Sequence, residues 1–218
     1  MVRGSFHQQL NDLRDDVLRM GNMVECFLDL AMTALKRQDK DLAAKVVMDD
    51  DKVDQLELQI EKQCLSLLAL HQPVARDLRF IGATLKFGTD LERIGDYASS
   101  IAKITLSMGN EPFIKPLVAL PRMAEIAQEM LRENLVAYVE YDRELALKSA
   151  AKDHEIDHLY KETFTELLTL MTEDPKNVMQ STYLMLAAKY LERIGDHATN
   201  LSEWVIYMVT GERLDLND

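Results

Sequence analysis

The chain has 218 residues, enough for one large domain or two small ones, and 47% hydrophobic content supplies ample material for a core. A formal charge of −12, from 37 acids against 25 bases, repels phosphate backbones and argues against direct nucleic-acid binding. No apolar run approaches the ~18 residues of a membrane span, and the first residues lack a signal peptide's apolar stretch, so a cytoplasmic location is expected.

Only 8 Gly and 5 Pro, few aromatics and many Leu, Ala, Glu, Asp and Lys predict an all-α fold. Cys26 and Cys64 lack CxxC-like spacing and read as small buried hydrophobes. Sparse prolines and polar turns place helices near 5–36, 39–70 and 74–108, then 119–140, 142–172 and 176–210. Between the two sets lies Gly109-Asn110-Glu111-Pro112-Phe113-Ile114-Lys115-Pro116, too short and too apolar for a free tether.

Leu91-Glu92-Arg93-Ile94-Gly95-Asp96 returns 100 positions later as Leu191-Glu192-Arg193-Ile194-Gly195-Asp196. Upstream the offset is 103: Asp39-Lys40-Asp41-Leu42-Ala43 falls on Asp142-Arg143-Glu144-Leu145-Ala146, and Asp50 and Asp54 fall on Asp153 and Asp157. The difference is absorbed by a shorter turn at Pro175 than at Pro73, as a duplicated fold tolerates. Two tandem, internally duplicated three-helix bundles are expected, residues 1–111 and 112–218.

In the third helix Leu91, Ile94, Ala98, Ile101 and Thr105 form an apolar stripe. At about 100° per residue, Glu92 and Asp96 face away from it. The second helix carries Asp50 and Asp54 with the same spacing, and counting from the turn brings the four acids to one height. Asp153, Asp157, Glu192 and Asp196 repeat the arrangement. Like charges at i and i+4 cost a helix about 0.2–0.5 kcal/mol per pair, and a hard cation held by carboxylate oxygens would offset that repulsion. Asn200, one turn past Asp196, could add an amide oxygen where the first half has Ser100. His197 points about 100° away from Asp196 and is not expected as a ligand. Gly95 and Gly195 cost about 1 kcal/mol relative to alanine in mid-helix, which close helix approach would compensate. Arg93 and Arg193 could pair with the acids or bind a partner. The acids face outward and lack the Glu-x-x-His pattern of di-iron bundles, and no nucleophile elbow, phosphate loop or HExxH is present. No active site is expected.

The twin halves, the repeated acid pairs and Leu-Glu-Arg-Ile-Gly-Asp-His-Ala-Thr-Asn at 191–200 resemble the PhoU family of bacterial phosphate-signalling and phosphate-transport accessory proteins. The resemblance implies multinuclear metal clusters, iron first with zinc, manganese or magnesium as alternatives, at Asp50, Asp54, Glu92 and Asp96 and at Asp153, Asp157, Glu192 and Asp196. It further implies a dimeric cytoplasmic negative regulator of phosphate uptake and the phosphate-starvation response, reaching the membrane through its partners. Those partners would be the ATPase of a phosphate ABC transporter and a sensor histidine kinase. A metal-storage protein or metal-dependent enzyme, and a purely structural bundle, are the alternatives.

Overall fold

The computed structural model describes the backbone of residues 2–217 and the side chains of residues 6–217. The first half contains α1 (Val2–Arg37), α2 (Lys40–Asp49), α3 (Asp51–His71) and α4 (Ala75–Ser107). The second contains α5 (Ala119–Glu140), α6 (Arg143–Ala150), α7 (Asp153–Glu173) and α8 (Val178–Thr210), with one 3₁₀ turn at Pro175–Asn177. Among the described residues there is no strand.

Six long helices match those expected, but the second helix of each half is interrupted. At Asp50 the amide of Val53 bonds back only three residues to the Asp50 carbonyl, and Lys152 N–H bonds likewise to the Ser149 carbonyl. Both interruptions keep right-handed helical dihedrals, and neither contains Gly or Pro. Each short first segment opens on an aspartate cap: Asp39 accepts from Leu42 N–H at 2.9 Å and Asp142 from Leu145 N–H at 3.0 Å, worth about 1 kcal/mol apiece. The break places Asp50 at the cap and Asp153 at the first position of a new helix, where the helix dipole favours negative charge.

α4 packs on α1, α2 and α3, and α8 packs correspondingly on α5, α6 and α7. The most extensive helix pairing joins the halves, α4 against α8, so one apolar core runs through both bundles. Leu91, Ile94, Ala98, Ile101 and Thr105 are all buried, as the spacing predicts. The linker packs as it turns: Phe113, Ile114 and Leu117 lie against the core, Gln180 on α8 bonds the backbone at Pro112 and Ile114, and Lys115 pairs with Glu166.

Cys64 is buried, with its thiol pushed up to about 12 by desolvation. Cys26 is exposed, contrary to expectation. It stands two residues from both Val24 and Leu28, about 200° around α1 from these core side chains.

Beyond α8, Gly211 adopts a left-handed φ of 85° and turns the chain back along the helix. Leu216 N–H donates to Glu203 at 2.8 Å, and the Asn217 amide donates to the Asn200 Oδ1 at 2.8 Å and to the Asp196 carbonyl at 3.3 Å.

Candidate metal centre

In the first half, Asp54 from α3 and Glu92 and Asp96 from α4 each bring a carboxylate oxygen within 4.8 Å of the other two. Among the described residues this is the only such group of metal-ligand types. Asp50 stands beside it, with its Oδ1 buried and without a hydrogen-bond partner. Desolvation raises the pKa of Asp50, Asp54 and Glu92, and in each case the Asp96 charge adds to it. Arg93 bridges Asp96 at 3.3 Å and Glu92 at 3.5 Å, supplying part of the compensating charge. Glu57, absent from the set read from sequence, adds to this patch. Its own carboxyl is raised by burial, and its charge also raises Glu92. The available signal was its place one turn beyond Asp54.

In the second half the acids are more enclosed and more heavily countered. Burial pushes Asp153 up to about 7, with the charges of Asp196, Asp157 and Glu192 acting in the same direction. Burial and then Glu192 raise Asp196. Lys189 holds Glu192 at 2.6 Å, Arg193 holds Asp196 at 2.8 Å, and Lys161 reaches Asp157 at 3.5 Å. The Oδ1 of Asp153 and the Oε2 of Glu192 remain buried and without a hydrogen-bond partner, the latter 3.6 Å from Arg193 Nε. The glycines serve the site as close-approach positions: a Cβ at Gly95 would meet Val53 Cγ1 at 3.2 Å, and one at Gly195 would collide with Asp153 Oδ1.

Asn200 departs from expectation. Its amide oxygen accepts from Asn217 and its amide nitrogen donates to Asp90 at 3.0 Å, so its polar atoms are spent on the α4–α8 seam. His197, as expected, is not among the acids. Its Nδ1 donates to Asp90 Oδ1 at 2.8 Å, while the Trp204 indole donates to Asp90 Oδ2 at 2.9 Å. Sequence reasoning missed Asp90, although it is the one acid in register with Ile94, Tyr97 and Ile101 on the buried face of α4.

The donor set fits a hard cation: oxygen ligands from two helices, clustered in the first half, with orphaned carboxylate oxygens in both. Zinc is the poorer match for a set without nitrogen or sulfur.

The PhoU domain model matches twice, over residues 17–105 and 120–205. The chain belongs to the PhoU family. The double match falls on the two halves that carry the acid pairs. A PhoU homologue from Clostridium acetobutylicum, named a phosphate-specific transport system accessory protein, is 40% identical over 219 residues and covers 100% of both chains. One from Aquifex aeolicus with the same name is 38% identical over 205 residues, 94% of this chain and 93% of its own. The crystal structure of PhoU from Pseudomonas aeruginosa superposes with a TM-score of 0.90 at 39% identity, covering 95% of this chain and 100% of that one. The phosphate transport system regulatory protein PhoU from Streptococcus pneumoniae gives 0.89 at 31% identity, over 96% and 99%.

Proposed function

We propose that this protein is a non-catalytic negative regulator of phosphate uptake and of the phosphate-starvation response. It acts as a metal-binding homodimeric adaptor between a phosphate ABC transporter ATPase and a sensor histidine kinase. The observation that carries the reading is full-length identity of 40% to a phosphate-specific transport system accessory protein, with no segment of either chain left over. Among the described residues no helix is long and apolar enough to cross a membrane, and contact with the transporter would come through docking. A surface of net charge −12 suits basic faces on such partners.

Asp50, Asp54, Glu92 and Asp96 would hold one metal cluster, iron first, and Asp153, Asp157, Glu192 and Asp196 the other. Bound cations would neutralise the carboxylate repulsion and tie α3 to α4 and α7 to α8. Arg93 and Arg193 orient the carboxylates through the ion pairs already present.

The test is deletion in the host together with pull-down of the ATPase and kinase. The expected result is phosphate-starvation genes left on in high phosphate, and direct binding of at least one partner. Normal repression with neither partner bound would end the regulatory reading and move metal storage ahead of it.

A further inference from the structure

Far from the acid clusters, the structure gathers guanidinium groups that have no ion-pair partner among the described residues. Arg76 opens α4, 16 residues before Glu92 and so about 24 Å from it along the helix. Its guanidinium carbon lies 4.3 Å from the centroid of the Tyr141 ring. Arg14 from α1 approaches the same ring at 5.7 Å and rests on Phe80 at 5.4 Å. Three separate elements, α1, the start of α4 and the end of α5, therefore converge on one phenol.

The donors of this group are largely unspent. Arg14 Nη2 donates to the Tyr141 hydroxyl at 3.0 Å, which leaves the phenol's own hydrogen for another acceptor. The Arg14 Nε is buried without a partner. Among the described residues no carboxylate comes within 4.0 Å of Arg14, Arg76 or Arg79, the last lying one turn along α4 from Arg76. Arg93, Arg122, Arg132 and Arg193 are each paired with an acid. Arg37 and Arg213 also lack an ion pair, but among the described residues only Tyr141 has two such guanidinium groups against one ring. Tyr141 is held in place by its backbone: it ends α5 in a left-handed conformation, φ 57°, with its N–H bonded to the Ala137 carbonyl.

We propose that Arg14, Arg76 and Tyr141 form a binding site for a doubly charged tetrahedral oxyanion, the phosphoryl group of inorganic phosphate or of a phosphate monoester. Two guanidinium forks without counter-charge call for a dianion, and forked N–H donors match phosphoryl oxygens in pairs. A planar carboxylate would be satisfied by one fork, whereas a tetrahedral group presents oxygens to α1, α4 and the phenol together. A chain of net charge −12 repels anions on average, and the two guanidinium groups offset that repulsion locally. This assignment depends on neither the metal reading nor the regulatory one.

The test is calorimetric titration of the full chain with inorganic phosphate, and separately with adenosine 5′-monophosphate, at fixed ionic strength. A chelator is kept present so that phosphate bridged by metal at the acid clusters does not contribute. One saturable site per chain is expected. Arg76 is exposed, so Arg76→Gln should keep the melting temperature while weakening binding by roughly tenfold, the loss of one charge-assisted fork. Arg76→Lys should recover part of the loss, and Tyr141→Phe should weaken binding severalfold. Tighter phosphate than monoester identifies the free ion as ligand; the reverse identifies an ester. Either would support the site. Absence of saturable binding of both at millimolar concentration, equal binding of acetate, or binding unchanged by Arg76→Gln would overturn it.

Discussion

Asp153 lies directly against Gly195, its Oδ1 filling the space a side chain at 195 would need. The pairing explains why a helix former is avoided in the middle of α8: the missing methyl is the room in which an α7 carboxylate turns toward Glu192 and Asp196. Gly95 differs, since its nearest neighbour would be the methyl of Val53 at 3.2 Å. Gly195→Ala should therefore swing Asp153 away and lower metal bound by the second half, with little change in melting temperature because alanine returns up to about 1 kcal/mol of helix propensity. Gly95→Ala should keep its metal. Equal metal content in Gly195→Ala and the parent, by elemental analysis, would count against Asp153 as a ligand.

Removing the compact triad is the complementary test. Glu92→Gln with Asp96→Asn takes two of the three carboxylates that meet within 4.8 Å. Bound metal should fall by about half if the two halves load independently. Helicity should hold, because the pair contributes i, i+4 repulsion of about 0.2–0.5 kcal/mol rather than core contacts. Unchanged metal content would reject the first-half site.

The sequence repeat made the long helices and the role of the glycines legible, whereas the acids expected to face outward are partly enclosed between helices, with buried oxygens on Asp50, Asp153 and Glu192. Prolines mark chain reversals, and a carboxylate pair at i, i+4 must share a helix face. The interruptions at Asp50 and Ala151-Lys152 left no such mark, since their residues keep helical dihedrals and only the hydrogen-bond register slips. Asn200 was misplaced for a different reason. Its register points toward the acids, but Asn217 and Asp90, brought to it by the returning chain and by α4, claim its polar atoms first. Contacts of that kind lie 17 and 110 residues away in sequence, beyond the reach of helical periodicity.

The pH dependence of metal-free protein should carry the signature of Asp153. Burial, reinforced by the charges of Asp196, Asp157 and Glu192, holds its folded-state pKa up to about 7 against an ordinary 3.8. A raised carboxyl stabilises the fold fully below the ordinary value, and that contribution is lost as pH rises through the folded value. Parent protein should thus lose stability relative to Asp153→Asn between about pH 4 and about pH 7. The loss should be on the order of 1–2 kcal/mol after allowance for solvent screening. Melting curves of both proteins across that range, with a chelator present, give the difference directly. A constant gap between them would show that Asp153 titrates normally.

The seam between the halves should depend on Asp90 more than on any exposed ion pair. Its carboxylate, nearly buried, receives His197 at 2.8 Å, Asn200 at 3.0 Å and Trp204 at 2.9 Å, all from α8. At the 100-residue offset the pair Asp90 and His197 corresponds to Tyr190 and Tyr97, which stack with ring centroids 5.8 Å apart. One side of the crossing is thus sealed by aromatic contact and the other by a charged hub. Asp90→Ala would leave three donors without their acceptor in a poorly hydrated interface, a loss of about 2–4 kcal/mol. His197→Ala, which leaves the carboxylate two of its partners, should cost about half as much, and Asp90→Asn should fall between. The chain has a single tryptophan, Trp204, and it belongs to the hub, so urea unfolding followed by its fluorescence reports the seam itself. A double-mutant cycle on Asp90 and His197 should give a coupling above about 1 kcal/mol. Coupling near zero, with Asp90→Ala as stable as the parent, would mean that apolar packing of α4 on α8 holds the halves together without the hub.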